Sequence, residues 1–271
     1  MPLVESFLLN QFGTFVLVLA RVGALVMVAP IFGTRAAPVQ ARAALAVALS
    51  LIITPLHSGA AAADLGRLLV FGKFVANETL LGLLLGLGLM ILLSGVQLTG
   101  QIISQLGGTA IAEGVDPHLE ENSPVYSQMF YFLTLAMFVL LDGHRLLVEG
   151  LLDTYRWLPP GRATLGASYV TALVTLLSQS FSLGLRAAAP AMTALLLATL
   201  VLGLIGRAVP QINVLVVGFS LNALLTLGSL CVTLGAIAWA FPQQSVEALD
   251  LLREAVRDAA AAADAALTPK P

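Results

Sequence analysis

Six apolar runs separated by short polar breaks dominate the chain. Because a membrane-spanning helix needs about 20 consecutive apolar residues, the longer runs predict an all-α integral membrane protein. The Ala-rich charged segment 242–271 is predicted to be a C-terminal tail beside a membrane domain of residues 1–241. The runs cover residues 12–32, 43–56, 68–106, 125–141, 165–205 and 209–241.

The lengths of these runs do not match one bilayer crossing each. Run 68–106 contains 39 residues, and a helix of that length rises about 58 Å, against about 30 Å of hydrocarbon. Run 43–56 contains only 14 residues, too few to span upright. We therefore expect long helices that bend or leave the bilayer and are covered by other proteins. Pro190 is a candidate kink in run 165–205.

The amino-acid composition limits which kinds of molecule the chain is expected to contact. Of the 271 residues, 58% are hydrophobic and 10% are charged, whereas soluble domains carry about 25% charged residues. Membrane lipid and other apolar proteins are therefore the expected surroundings. Nucleic acid is not an expected partner, because the net charge is −2 and the 13 basic residues form no cluster. Cys231 is the only cysteine, which excludes a disulfide scaffold, and we expect it to pack in the interior.

Three apolar runs also carry neutral polar side chains at helical spacing. Such groups either bond within a helix bundle or line a wet conduit for varied cargo. The first stripe contains Gln97 and Gln101 with Ser94, Ser104 and Gln105; the second contains Thr171, Thr175, Ser178, Ser182 and Arg186; the third contains Asn222, Thr226, Ser229 and Thr233.

Four charged residues lie inside apolar runs. Lys73 lies near the start of its run, and the candidates for buried charges are Arg21, Glu78 and Arg186. A charge at the bilayer centre costs about 2.5–3.5 kcal/mol on insertion scales. Structural ion pairs or snorkelling ends are the first interpretation, and proton or substrate handling is the alternative. Arg21 shares a helical stripe with Asn10 and Thr14, and we expect this stripe to face protein.

Small residues on the third run predict a close helix contact. Gly82 and Gly86 are four residues apart, and Gly88 follows two residues later. Glycines at this spacing let two helix backbones approach each other. We therefore predict that Gly82 and Gly86 pack against a neighbouring helix.

Catalytic motifs are missing from the sequence. His57, His118 and His144 form no pair at helical spacing, and no HExxH, GxSxG, phosphate-binding or dinucleotide-binding motif occurs. We therefore expect no enzyme, no metal and no other cofactor. Two alternatives stay open: a transporter of a small solute or ion with Arg21, Glu78 and Arg186 at a midplane site, and an intramembrane enzyme with dispersed residues.

The tail contains a second kind of pattern. Val246, Leu249, Leu252 and Val256 recur at helical spacing. They predict an amphipathic helix for a membrane surface or a partner, with a solvated tail as the alternative.

Four stretches, in this order and spacing, resemble the FliR family of flagellar export-gate proteins. In this family Pro usually follows the final Gly-Phe, whereas here Ser220 does, which leaves the local helix shape open. The Gly-Phe pair favours the flagellar branch over the virulence-injectisome branch. The stretches are LARVGALVMVAPIFGTRAAP at 19–38, GQIISQLGGTAIAEGVDPHLEENSPVYSQ at 100–128, LDGHRLLVEGLLDTYRWLPPG at 141–161 and APAMTALLLATLVLGLIGRAVPQINVLVVGF at 189–219.

The resemblance implies a non-enzymatic core subunit of the type III protein export channel. In this family long bent helices fold as helical hairpins. Its members assemble with FliP and FliQ into a helical hetero-oligomeric pore. FlhB packs against its mouth and FlhA lies below. Unfolded flagellar subunits would pass through this pore across the bacterial inner membrane, at the flagellar basal body, with part of the complex raised above the bilayer.

The resemblance also gives the loop after the third run a role, because the matching family segment reaches into the pore as a plug. The alternative is an ordinary external acidic loop. The implied plug residues are Gly107, Gly108, Thr109, Ala110, Ile111, Gly114, Asp116 and Pro117.

Overall fold

A computed structural model describes residues 2–30, 38–57, 68–108, 124–164, 166–211 and 213–267. Seven α-helices and one short 3₁₀ helix make up these ranges, which contain no strand. The all-α prediction is therefore confirmed. The helices are α1 (Pro2–Val28), α2 (Val39–Ile53), α3 (Leu68–Gly107), α4 (Val125–Leu140), α5 (Gly143–Trp157), α6 (Ala167–Ala208) and α7 (Val214–Leu267), and the 3₁₀ helix is Thr54–His57.

By length and composition, five helices could cross a membrane, or up to six if the bent pair α4–α5 is one span. The expectation that run 43–56 is too short to span a membrane was wrong. The segment Val39–His57 contains 19 residues and passes this test, because α2 begins before Arg42 and the 3₁₀ helix extends it. The longest helices have 40, 42 and 54 residues.

Prolines and one left-handed residue mark where helices begin or turn. Pro38 and Pro124 precede α2 and α4 with φ near −55° and −52°, values that the proline ring imposes. α6 and α7 continue through Pro190 and Pro242, and the kink at Pro190 stays a prediction. The measured bend is elsewhere: α4 and α5 meet at 68°, where Asp142 has φ 55°.

The described chain divides into two compact units, and α3, α6 and α7 contribute residues to both. The first unit contains residues 1–90, 142–176 and 245–271. Its core is aliphatic and includes Leu17 and Val22 of α1, Leu81 of α3 and Leu151 of α5, each at most 1% exposed.

The end of α7 belongs to this first unit, which changes the interpretation of the tail stripe. Leu249, Leu252 and Val256 are buried, whereas Val246 is half exposed. The Ser168 hydroxyl donates a hydrogen bond to the Ala255 carbonyl at 3.1 Å. The stripe therefore packs within the chain and does not face a membrane surface or solvent. The domain boundary after residue 241 stays a prediction, and it falls inside α7.

The second unit contains residues 91–141 and 177–244. Its core includes Leu93, Ile103, Phe130 and Phe241, each at most 1% exposed. The rings of Phe138 and Phe241 meet edge to face, with 6.5 Å between their centroids. The interior expectation for Cys231 was wrong, because this residue of α7 is exposed.

Candidate functional site

A buried ion pair joins α1 and α3 in the first unit. The Nε atom of Arg21 lies 2.6 Å from Oε2 of Glu78, and both side chains are completely buried. The two residues are separated by 57 positions in the sequence. An unpaired charge would be very costly in this apolar core. The ion pair avoids that cost, because each side chain neutralises the charge of the other.

The other polar atoms of this pair are also satisfied. Arg21 donates from Nη1 to the Thr154 hydroxyl at 3.0 Å and from Nη2 to the Leu158 carbonyl at 2.9 Å. Oε1 of Glu78 accepts a hydrogen bond from the Gly161 amide at 2.8 Å. The guanidinium carbon lies 4.1 Å from the centroid of the Tyr155 ring, a cation–π distance. We call these six residues the arginine cluster.

The backbone of the cluster explains how a short loop reaches the carboxylate. Gly161 has φ +84°, a left-handed conformation that residues with a Cβ rarely adopt. Its amide can therefore point back at Glu78. Asn77, the neighbour of Glu78, donates to the Ala163 carbonyl at 2.9 Å. Two adjacent α3 side chains thus hold the loop that leaves α5, and the cluster fixes α1, α3 and α5 together.

The geometry of the cluster suits a structural clamp better than transport chemistry. A transport site must release its ligand, whereas here each guanidinium nitrogen already donates to a protein acceptor. Arg21 and Glu78 are both 0% exposed. Arg186 lies exposed on α6 in the second unit and forms no ion pair within the ranges that the structure describes. The alternative of a midplane site formed by all three charges stays a prediction.

The predicted glycine face lies against α1 within the first unit. A Cβ atom at Gly82 would overlap the carbonyl oxygen of Arg21. At Gly86 it would lie 3.0 Å from the Cβ of Val28. Only glycine permits this approach at Gly82, and it brings the Arg21 backbone close to the helix that carries Glu78.

In the second unit, Gln97 and Gln101 lie on α3 beside a groove between α3 and α6. Gln97 is half buried and Gln101 is exposed. The predicted stripe member Ser94 lines the same groove, and so does Ser180, which belongs to none of the predicted stripes. The groove has a volume of about 250 Å³ and contains no charged side chain in its lining.

The implied plug lies mostly outside the described residues, which end at Gly108 and resume at Pro124. This applies to Thr109, Ala110, Ile111, Gly114, Asp116 and Pro117. Gly107 is buried, and a Cβ there would lie 2.5 Å from the Thr226 hydroxyl oxygen. Gly108 has φ +79°, and this conformation ends α3.

Sequence reasoning missed most partners of the Arg21–Glu78 pair. Thr154, Tyr155, Leu158 and Gly161 all lie in one of the four stretches that carry the family resemblance, residues 141–161. The available signal was an amphipathic helix: Leu147, Leu151 and Tyr155 are buried on α5. That pattern predicts a packed helix but does not say which helix it contacts.

Metal chemistry has no support in the described ranges, where no three His, Cys, Asp or Glu side chains are grouped to hold an ion. The fold and the buried cluster define the class as a polytopic α-helical membrane protein.

Comparison with known proteins identifies the family of this chain. Residues 12–248 match the family of bacterial export proteins, family 1, and the chain belongs to this family. It is 31% identical to the flagellar biosynthetic protein FliR of Caulobacter vibrioides over 235 residues, which cover 87% of this chain and 94% of the relative. It is 34% identical to FliR of Escherichia coli K12 over 211 residues, 78% of this chain and 79% of the relative. FliR of Bacillus subtilis is 28% identical over 233 residues, 85% and 89% of the two chains. The resemblance to the FliR family is therefore confirmed.

Proposed function

We propose that this chain is a subunit of the flagellar protein export apparatus in the bacterial inner membrane, at the flagellar basal body. The proposal is supported by the family and by flagellar biosynthetic relatives that align over most of their length. A structural role in export, with no catalytic step, agrees with a buried charge cluster that is closed to solutes.

One observation carries this proposal beyond the names of relatives: α6 exposes more apolar length than a bilayer can cover. Within the second unit its exposed large apolar side chains extend from Leu177 to Ile205. These 28 steps rise about 42 Å, or about 39 Å at a typical tilt of 20°, against about 30 Å of hydrocarbon. Cover by other protein over part of α6 would account for this excess, as expected of a subunit in a larger assembly.

The assembly we propose is a pore formed with FliP and FliQ, which passes unfolded flagellar subunits across the membrane. FlhB and FlhA are the further proposed partners. Neutral polar side chains such as Gln97 and Gln101 would suit contacts in this assembly, because fixed charges would retain some cargo and repel other cargo.

We further propose that residues 107–116 form a plug that seals the idle pore. The left-handed Gly108 supports this proposal, because it turns the chain out of α3 at the start of the segment. Deleting residues 107–114 should raise ion leakage through the assembled complex. Unchanged leakage in a correctly assembled complex would contradict the plug.

The function is tested by deleting the gene in its own bacterium and restoring it on a plasmid. We expect loss of swimming and loss of filament protein from the culture medium, with growth unchanged because no metabolic step is lost. Restoring the gene should return both. A deletion strain that swims and exports normally would contradict the proposal.

The transporter alternative has a distinct outcome in the same strains. If Arg186 handled a solute, Arg186→Gln would abolish uptake of that solute and leave export intact. We expect the opposite result. Variants of the arginine cluster should reduce export, and Arg186→Gln should reduce the uptake of no solute.

A further inference from the structure

The part of α6 nearest the turn to α7 is buried along one narrow stripe only. Leu195, Ala198 and Leu202 are at most 7% exposed, and at 100° per residue they occupy about 60° of the helix circumference. Most of this part of the helix is therefore open to its surroundings. The large apolar side chains on its other faces cover about 180° and are between 39% and 64% exposed; they are Leu196, Leu197, Leu200, Val201, Leu204 and Ile205.

The buried stripe faces α7, which is equally open on its outer side. A Cβ atom at Gly218 would lie 3.3 Å from Cδ1 of Leu202. The large apolar side chains of α7 near the turn are between 39% and 73% exposed; they are Val216, Val217, Phe219, Leu221, Leu224 and Leu227. One partner helix would cover one side of such a pair, whereas lipid covers all its outer sides. An apolar surface around both helices therefore favours lipid as the occupant.

Two arginines lie at the ends of this apolar part of α6. Arg186 and Arg207 are the only charged residues of the helix and are 21 positions apart. Both are exposed, and neither forms an ion pair within the ranges that the structure describes. Twenty-one residues rise about 32 Å, or about 30 Å at a typical tilt of 20°, which equals the hydrocarbon thickness of about 30 Å. Because an arginine near the end of a span extends its charge into the headgroup layer, the two residues fit the two surfaces of one bilayer.

The sequence of α7 agrees with the same limits. Leu202 and Gly218 lie side by side in the two antiparallel helices. Sixteen further residues along each helix therefore bring Arg186 level with Leu234. Trp239 lies five residues beyond this level and is 74% exposed. Five residues rise about 7.5 Å, which reaches the headgroup layer, where tryptophan is enriched. No charged residue precedes this tryptophan in α7.

The polar side chains between the two arginines need no outside partner. Residues 187–206 contain two hydroxyl groups, those of Thr193 and Thr199. They donate to the Pro190 and Leu196 carbonyls at 2.9 and 2.8 Å. Such bonds within the helix satisfy a hydroxyl in hydrocarbon.

The half of α6 before Arg186 is less suited to lipid. Residues 178–182 read SQSFS, and α3 packs against them, because a Cβ at Gly95 would overlap the carbonyl oxygen of Ser180. A bilayer over this half would also leave residues 187–206, which are more apolar, outside the hydrocarbon. Helix length alone does not decide between the two halves, since the candidate spans in α6 and α7 contain 42 and 47 residues.

We propose that the α6–α7 hairpin crosses the lipid bilayer in a fixed register, with residues 187–206 and 214–233 in the hydrocarbon. Arg186 and Trp239 lie in one headgroup layer and Arg207 lies in the other, where each guanidinium contacts phospholipid phosphate. This inference concerns the membrane register of the second unit and does not depend on the role in export.

The test is spin labelling of the full-length chain in its complex with the other export proteins, reconstituted into vesicles of phosphatidylethanolamine and phosphatidylglycerol. Cys231→Ser removes the one native cysteine, and Leu197→Cys or Leu224→Cys then carries a nitroxide near the expected bilayer centre. Collision rates with oxygen and with a water-soluble nickel chelate distinguish three surroundings. Lipid gives frequent oxygen collisions, water gives frequent nickel collisions and protein gives few of either.

We expect an oxygen-to-nickel collision ratio at Leu197 and Leu224 at least about tenfold above that of the free label in buffer, because hydrocarbon excludes polar solutes by several kcal/mol. The control is Leu177→Cys, nine residues before Arg186, because Leu177 and Leu197 are similarly exposed at 56% and 64%. Its oxygen collision rate should be lower than that at Leu197. An equal or higher rate at Leu177 would overturn the register, because the bilayer would then cover the other half of α6.

Variants of Arg186 test its place in the headgroup layer. Arg186→Leu removes the charge that fixes this end of the hairpin, and we expect the highest collision ratio, read from labels at successive residues of α6, to move about one turn toward Leu177. One turn is about 5.4 Å. Arg186→Lys retains a cation that reaches the headgroups and should leave the position unchanged. An unchanged position in Arg186→Leu would overturn the assignment of Arg186.

The other possible surroundings of the labels would also overturn the inference. Few collisions of either kind at Leu197 and Leu224 would mean that protein covers the hairpin, and frequent nickel collisions would mean that water does. If either result is found in a chain that co-purifies with the other export proteins, the inference fails and the proposed function stands. If the chain does not co-purify with them, the proposed function fails, and the same labels on the chain reconstituted alone test the register.

Discussion

The arginine cluster and the groove beside Ser180 differ in whether their buried polar atoms have hydrogen-bond partners. Both place polar atoms inside apolar helices. In the cluster, the polar atoms of Arg21 and Glu78 find partners within the chain. In the groove, the Ser180 hydroxyl finds none within the described residues. The difference indicates that the first region stabilises the chain, whereas the second contains a buried polar group that is left unsatisfied within the described residues.

Breaking the ion pair should have the largest effect. Glu78→Ala leaves Arg21 charged and buried, and we expect a loss of about 3–5 kcal/mol in the free energy of unfolding, as for other broken buried pairs. Thermal unfolding of the purified protein measures it. The control is Glu149→Gln, which breaks the exposed pair with Arg145 at 2.8 Å and should cause no measurable change. Equal effects of the two variants would contradict the clamp.

Forcing α1 and α3 apart should have the next largest effect. Gly82→Ala places a methyl group on the Arg21 carbonyl oxygen, and we expect a loss of about 1–3 kcal/mol from overpacking. Gly72→Ala is the matched control on the same helix, because a Cβ there meets nothing within 4 Å. That control should be neutral or stabilising. A neutral Gly82→Ala would mean that the two helices do not need their close contact.

The smallest effect is expected in the groove, with the opposite sign. In the isolated chain, Ser180→Ala removes a buried hydroxyl that has no described partner, and we expect a gain of up to about 1 kcal/mol. Thr134→Val removes a hydroxyl that donates to Phe130 at 2.6 Å and should cost a similar amount. Thermal unfolding of both variants compares them. A destabilised Ser180→Ala chain would show that the hydroxyl is already satisfied within the chain.

The helical membrane class and the long helices could be predicted from the sequence, because apolar run length depends only on local composition. The burial of Arg21 followed from the cost of a charge in an apolar run. Its pairing with Glu78 did not follow, because 57 residues separate them and no periodicity encodes which faces meet. α5 was harder still, since its polar outer face interrupts the apolar pattern.

The tail and the groove show a second limit of sequence reasoning. The stripe of Leu249, Leu252 and Val256 predicted an amphipathic helix, but a stripe does not distinguish lipid, a partner or the same chain as its cover. In the structure Leu252 approaches Gly88 so closely that a Cβ there would lie 2.6 Å from it. Ser180 was missed because its significance depends on a hydrogen bond that is not made.

The central claim is that other subunits cover the apolar surface which a bilayer leaves exposed. Native mass spectrometry of the chain extracted from its own membrane in mild detergent tests this claim most directly. We predict a heteromeric complex that contains FliP and FliQ. A chain of 28.2 kDa that leaves its own membrane without any other protein subunit would contradict it.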